Sequence, residues 1–197
     1  MLADLLAHPG VEEVCDLRSP FGLMAFHGGN LEPGTDAIAA RAADRAGASL
    51  YAVRQPADLY WHVPSVAFDP AASAALAAFV DHVDVAVTIH GYGRRDMWTT
   101  LLVGGRNRSL AGHLAGALRS TLGAGFTLVD DMAAIPRELR GMHPRNPVNL
   151  PRHGGAQVEL PPRVRRGTGA PTYRPEYEEA VVDALVAIAA DPSTVRG

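Results

Sequence analysis

The residues best suited to chemistry sit where apolar runs end. Phe21-Gly22-Leu23-Met24-Ala25-Phe26 reads as a buried strand and runs straight into His27-Gly28-Gly29, then Asn30-Leu31-Glu32-Pro33-Gly34-Thr35. A second apolar strand, Val85-Ala86-Val87-Thr88-Ile89, also ends in His-Gly, at His90-Gly91. Imidazole nitrogens and a carboxylate oxygen are what a catalytic zinc accepts, with one position left open for water. The expected metal set is therefore His27, Glu32 and His90, brought to one edge of a sheet. Strand-end histidines also serve as plain caps for backbone or carboxylate groups, so the residues alone leave both readings open. Rival catalytic patterns are absent: no His-Glu-x-x-His helix, no Gly-x-Ser-x-Gly elbow, no Walker loop and no dinucleotide fingerprint.

Strands and helices must alternate to deliver these side chains, and the pattern predicts an α/β layer sandwich in one domain over residues 1–197. Thr35 reads as the N-cap of a helix that Gly47 stops. Ser49-Leu50-Tyr51-Ala52-Val53 reads as a strand, and Leu59-Tyr60-Trp61-His62-Val63 as a surface connection or edge strand. Asp69-Pro70 reads as N-cap plus N1 of an Ala-rich helix reaching about Val80. Thr99 to Val103 is a further strand, and Asn107 or Ser109 caps a helix whose Leu110, Leu114 and Leu118 face the core. Phe126 to Val129 and Ala156 to Leu160 are strands, and a helix lies within Pro171 to Ala190. Between Pro136 and Gly155 the chain turns to Pro, Arg, Asn and Gly with little periodicity; such a long loop in a compact domain is usually functional.

Composition narrows the classes. The net charge is −3 and hydrophobic residues make up 47% of the chain, which gives no pull toward nucleic acid and no sign of disorder. No apolar run approaches the roughly 20 residues of a membrane span. No secretory signal is visible at the start, so the expected location is cytoplasmic, with release by lysis an open route. Cys15 is the only cysteine, which rules out an internal disulfide or a cysteine zinc site. There is no Lys, so any bound anion meets guanidinium forks.

Four ordered blocks carry a family likeness. His27-Gly28-Gly29-Asn30-Leu31-Glu32-Pro33-Gly34-Thr35 resembles the first signature of the poly-γ-glutamate hydrolase family, a phage-related group. Thr88-Ile89-His90-Gly91-Tyr92 resembles its second, and Thr100-Leu101-Leu102-Val103-Gly104-Gly105-Arg106-Asn107 its third. Asn146-Pro147-Val148-Asn149-Leu150 with Gly155-Ala156-Gln157-Val158-Glu159-Leu160 resembles its fourth, and together the blocks span about Gly22 to Arg165. The resemblance implies a three-layer fold, an open twisted mixed sheet flanked by helices, related to zinc carboxypeptidases. It implies one zinc ion per chain on His27, Glu32 and His90, and cleavage of γ-linked glutamate chains. Zinc carboxypeptidases place the Glu three residues after the first His, whereas here the gap is five, which leaves one- or two-oxygen binding by Glu32 open. Their general base is a Glu on a late strand, and Glu159 is the match.

The remaining roles follow from that substrate. Glu159 would take a proton from water and hand it to the leaving amine. Gln157 shares its strand face and would contact substrate. Arg106, Asn107 and Arg108 follow a strand and open a helix, a good place to bind carboxylates, with Arg152, Arg94, Arg95 and Arg145 extending the grip. Tyr92 either donates to an oxyanion or only packs, and the remaining histidines, His62 and His143 among them, read as structural. The expected partner is an acidic peptide or small acidic amide. Two rivals stand beside it: an N-acyl amino acid deacylase of aspartoacylase type, and a non-catalytic metal-binding, phage-associated protein.

Overall fold

Apolar runs separated by glycine and proline turns fold here into alternating strands and helices; the computed structural model describes residues 1–191. In chain order the elements are α1 (Leu2–Leu6), β1 (Glu12–Asp16), β2 (Phe21–Gly29), α2 (Thr35–Ala46), β3 (Ser49–Gln55) and α3 (Ala74–His82). They continue with β4 (Val85–Gly91), β5 (Thr100–Gly104), α4 (Arg108–Leu122), β6 (Thr127–Val129), β7 (Gly155–Leu160) and α5 (Pro175–Ala189). No helix among the described residues is long and apolar enough to cross a membrane.

The sheet has strand order β1-β3-β2-β4-β7-β5-β6. β3, β2, β4 and β7 run parallel, β1 is antiparallel to β3, and β5 is antiparallel to β7. The expected three-layer mixed sheet is what forms. One face packs Leu23, Val87, Ile89 and Val158 against α2, α4 and α5; the other packs Met24, Phe26, Tyr51 and Ala86 against α1 and α3. After β2 the chain goes to β3 on one side, and after β3 it crosses to β4 on the other. The point where strand order reverses therefore lies between the ends of β2 and β4. In open α/β sheets that is where ligands bind, outside the carboxyl ends of the strands. β2 and β4 are paired only as far as Met24 and Thr88, and their last residues, with His27 and His90, diverge around a crevice.

Local expectations mostly hold, with corrections at caps. Gly34, at φ 88°, takes the N-cap of α2, and Thr35 is the first helical residue, its hydroxyl donating back to the Glu32 carbonyl at 2.9 Å. Asp69 caps only a short 3-10 turn; Ser73 caps α3, accepting from Leu76 N–H at 3.0 Å. Asn107 caps α4, accepting from Leu110 N–H at 2.9 Å. Residues 59–63 form neither strand nor helix. α1 and β1 were not anticipated, because Glu12-Glu13-Val14-Cys15-Asp16 is an edge strand too polar to read as one.

The C-terminal helix is fastened by one buried carboxylate. Glu178 is 1% exposed and accepts from Arg41, Arg166 and the Tyr173 hydroxyl. Burial opposes its ionisation, but Arg166 and Tyr173 outweigh burial and hold the carboxyl below its ordinary value. A depressed folded-state pKa adds stability above the unfolded value of about 4.3, and that stability is lost as pH falls through the folded value. Glu178→Gln is therefore expected to cost about 1 kcal/mol in urea unfolding at pH 7, and the gap to wild type should close near pH 3.

Candidate metal centre and active-site cleft

His27 owes its position to an irregularity in β2. Register against β3 shifts between Ala25 and Gly28, so one extra residue sits in β2 there. Strict alternation would send His27 to the face opposite Phe26; a bulge re-aims a side chain. The His27 ring instead lies 5.0 Å from the His90 ring and 5.9 Å from the Phe68 ring, centroid to centroid. The two glycines that follow are needed by space. A Cβ on Gly28 would come within 2.5 Å of Asp36, and Gly29, at φ 70°, brings its Cα so close to β3 that a Cβ would lie 2.1 Å from the Gln55 carbonyl oxygen. The chain then turns back, Glu32 N–H donating to the His27 carbonyl at 2.8 Å, and places the Glu32 carboxylate between the two imidazoles.

Both oxygens of Glu32 are used. Oε1 lies 2.7 Å from His27 Nδ1, and Oε2 lies 3.3 Å from His90 Nδ1 and accepts from Gly91 N–H at 2.8 Å. His27 Nε2 donates to the Val63 carbonyl at 2.8 Å; a carbonyl can only accept, so this bond fixes the ring and presents Nδ1 to the site. His90 Nε2 faces the Ser65 hydroxyl at 3.4 Å. The loop carrying Val63 is pinned through Gln55, whose amide bonds Trp61 N–H and carbonyl, each at 2.8 Å, and through Asn30, which donates to the Leu59 carbonyl at 3.0 Å. Burial works against the Glu32 charge, yet the two histidines more than offset it and hold the carboxyl well below the usual carboxylate range.

The donor set fits a divalent cation. A tetrahedral zinc with bonds of about 2.0–2.1 Å has ligand–ligand edges of roughly 3.3 Å. One donor atom from each of His27, Glu32 and His90 lies within 4.8 Å of the others, with contacts of 2.7 and 3.3 Å along the carboxylate. These three residues can hold a metal ion.

Glu159 stands beside them. It is the ladder partner of His90 across β4 and β7, is 5% exposed, and faces the same side of the sheet as His90. Gln157 Nε2 donates to Glu159 Oε1 at 2.8 Å and to the Leu139 carbonyl at 3.3 Å. Asn146 Nδ2 donates to Gln157 Oε1 at 3.0 Å, which orients that amide. Burial pushes the Glu159 carboxyl up, and the Glu32 charge adds to the push, while His90, Gln157 and Arg165 pull against it; the outcome is a pKa of about 7. Two carboxylates whose surroundings drive them apart in acidity are the usual mark of divided acid and base roles.

All four residues open into one cleft of about 1190 Å³. Such a volume exceeds the roughly 300–1,000 Å³ of small-molecule pockets. Gln157 lines the cleft but is fully engaged with protein groups. Tyr92 lines it too, with its hydroxyl placed against the carbonyls of Met97 and Thr100, at 3.1 and 2.5 Å; of its two expected roles, this bonding favours packing over an oxyanion donor.

The expected arginine grip is also corrected. Because β5 runs antiparallel to β7, its end at Gly104 meets Gln157 near the start of β7, and residues 105–108 emerge at the sheet edge opposite the histidines. Arg106 N–H bonds Asn149, Asn107 caps α4 and bonds the His153 carbonyl, and Arg108 bonds the carbonyls of Gly105 and Asp130. Arg152 lies in the same far region, beside His153, whose N–H bonds the Asp84 carbonyl before β4. None of these, nor Arg94, Arg95 or Arg145, lines the cleft. The lining arginines are Arg137 and Arg140 from the 136–155 loop, and Tyr60 and His62 line the same cleft from the pinned loop. His62, whose ring lies 4.9 Å from that of His27, and His143 also line the cleft and were missed; nothing in their local sequence marks them.

An open α/β sheet with a two-His, one-Glu cluster that could hold a metal ion, and a Glu beside it at the switch point, defines a protein of carboxypeptidase-like fold with a candidate metal centre. The profile of the poly-gamma-glutamate hydrolase family matches residues 6–170, and the chain belongs to that family. It is similar to the structure of a bacteriophage poly-gamma-glutamate hydrolase at 24% identity, covering 88% of this chain and 87% of that one, with a TM-score of 0.67. It is similar to YNDL in its zinc-free apo form at 21% identity, 90% and 88% coverage and a TM-score of 0.72. A metallo-carboxypeptidase from Burkholderia cenocepacia shares the fold at 11% identity, with 99% and 68% coverage and a TM-score of 0.50. No curated protein matches the sequence. Calorimetry with zinc should give one site per chain, and His90→Ala should weaken it more than about a hundredfold, beyond what loss of a supporting residue costs.

Proposed function

We propose that the protein is a zinc-dependent hydrolase of amide bonds in γ-linked polyglutamate or a closely related acidic peptide. The observation that carries this reading is the pairing of Glu32, ionised between two imidazoles, with Glu159, its pKa raised to about 7, across one shared cleft. Family membership supports the substrate class. A zinc ion held by His27, Glu32 and His90 would polarise the scissile carbonyl and make water a stronger nucleophile near neutral pH.

The chain's own groups do the rest. Glu159, its pKa raised to about 7, takes a proton from the attacking water and returns it to the departing amine. Gln157 holds Oε1 of that carboxylate in place, and Asn146 holds Gln157. Arg137 and Arg140 form a cationic wall that binds the free α-carboxylates which a γ-linked chain carries at every residue. Arg140 Nε donates to the Ile135 carbonyl at 2.8 Å, which steadies the guanidinium for that task. Tyr60 and His62 line the same cleft.

Product analysis on γ-polyglutamate, α-polyglutamate and N-acetylglutamate tests the substrate. Fragments from the γ-linked polymer alone are expected; release of acetate from N-acetylglutamate with the polymer intact would favour the deacylase. Glu159→Gln should lower kcat by about 10²- to 10⁴-fold with zinc affinity unchanged. Arg140→Ala should raise KM about tenfold, or about 1.4 kcal/mol, with kcat little altered.

A further inference from the structure

Arg165 is the one site-proximal cation that the mechanism above does not use. It is 4% exposed, and among the described residues its guanidinium makes no direct ion pair with a carboxylate. Its partners are main-chain carbonyls instead. Nε donates to Leu160 at 3.0 Å, Nη1 to Pro33 at 2.8 Å, and Nη2 to Tyr92 at 3.4 Å. Each carbonyl lies one or two residues beyond a side chain of the site: Leu160 after Glu159, Pro33 after Glu32, Tyr92 after His90.

The ends of β4 and β7 are joined by their ladder, His90 to Glu159 and Gly91 to Leu160, and by Tyr92 N–H donating to the Leu160 carbonyl at 3.1 Å, but no ladder ties the segment bearing Glu32 to them. The ladder of β2 and β4 stops at Met24 and Thr88, short of both histidines. The loop carrying Glu32 meets the end of β4 through the Glu32 carboxylate itself and the Gly91 N–H. Gly91 leaves the room the guanidinium occupies: a Cβ there would lie 2.4 Å from Arg165 Cζ. A planar fork with five donors can reach three carbonyls at once, and a lysine ammonium at the end of a flexible stem cannot reproduce that plane.

We infer that Arg165 is a positioning residue that clamps the segment bearing Glu32 onto the paired ends of β4 and β7, which bear His90 and Glu159, and thereby sets the spacing of the metal ligands and of the proton-transferring carboxylate. It touches neither substrate nor metal, and acts through the backbone. The inference rests on the metal site proposed above but not on the identity of the substrate.

The test is zinc affinity, by competition with a chromophoric chelator, for wild type, Arg165→Lys and Arg165→Ala, with the fold of each apo protein followed by circular dichroism. Both variants should bind zinc at least about tenfold more weakly, as when an outer partner of a metal ligand is lost. Methylguanidinium added to Arg165→Ala should restore affinity, whereas methylammonium should not. A merely structural role would lower the melting temperature and leave the affinity of the folded fraction and the selective rescue unchanged. Zinc binding as tight as wild type in Arg165→Lys overturns the inference. If Arg165→Ala does not fold, Arg165→Lys, which keeps charge and stem, decides alone. Wild-type zinc binding without hydrolysis of any glutamyl amide would remove the proposed activity and leave this inference standing.

Discussion

A single carboxylate caught between two imidazoles is the interaction on which the site depends. Glu32 spends one oxygen on His27 and the other on His90, so it spans the crevice that opens when β2 and β4 stop pairing. Taking such a charge out of water costs several kcal/mol unless it is paired and hydrogen-bonded. The bulge in β2, the two close-packed glycines and the tight return turn all serve to bring that carboxylate into place.

From this arrangement follows the division of labour between the two acidic groups. Glu32 is surrounded by donors and stays charged. Glu159, the ladder partner of His90, is buried and has one side-chain donor on its carboxylate. Burial thus ends in opposite acidities, because the charge and hydrogen bonds of two histidines outweigh it at Glu32, whereas at Glu159 the Glu32 charge adds to it.

Much of this was legible in the sequence, for definite reasons. Apolar runs ending in His-Gly marked both histidines, since a buried parallel strand reads as a continuous hydrophobic stretch. Glu159 was marked by the resemblance, which implies a general base on a late strand, and the alternation of Ala156, Val158 and Leu160 set it on the face away from them. What stayed hidden depends on strand direction and long-range contact. Nothing in Thr100 to Gly104 says that β5 runs against β7, yet that reversal moves Arg106, Asn107 and Arg108 to the wrong edge. His62, Arg137 and Arg140 lie in irregular segments without period, and only the pinning by Gln55 and the turns around Gly141 bring them to the cleft. Arg165 carries no signal in the sequence, because its partners are carbonyls, which leave no sequence signature.

The reversal of β5 also ties the far edge of the sheet to the wall of the cleft. Gly105 N–H bonds the Arg140 carbonyl at 2.8 Å, and Asn149, which accepts from Arg106 N–H, donates to the carbonyls of Gly141 and His143 at 2.7 and 3.0 Å. Arg140, Gly141 and His143 all line the cleft. The turn after β5 thus acts as a buttress: a change at Asn149 would reach the cleft wall without touching the metal ligands.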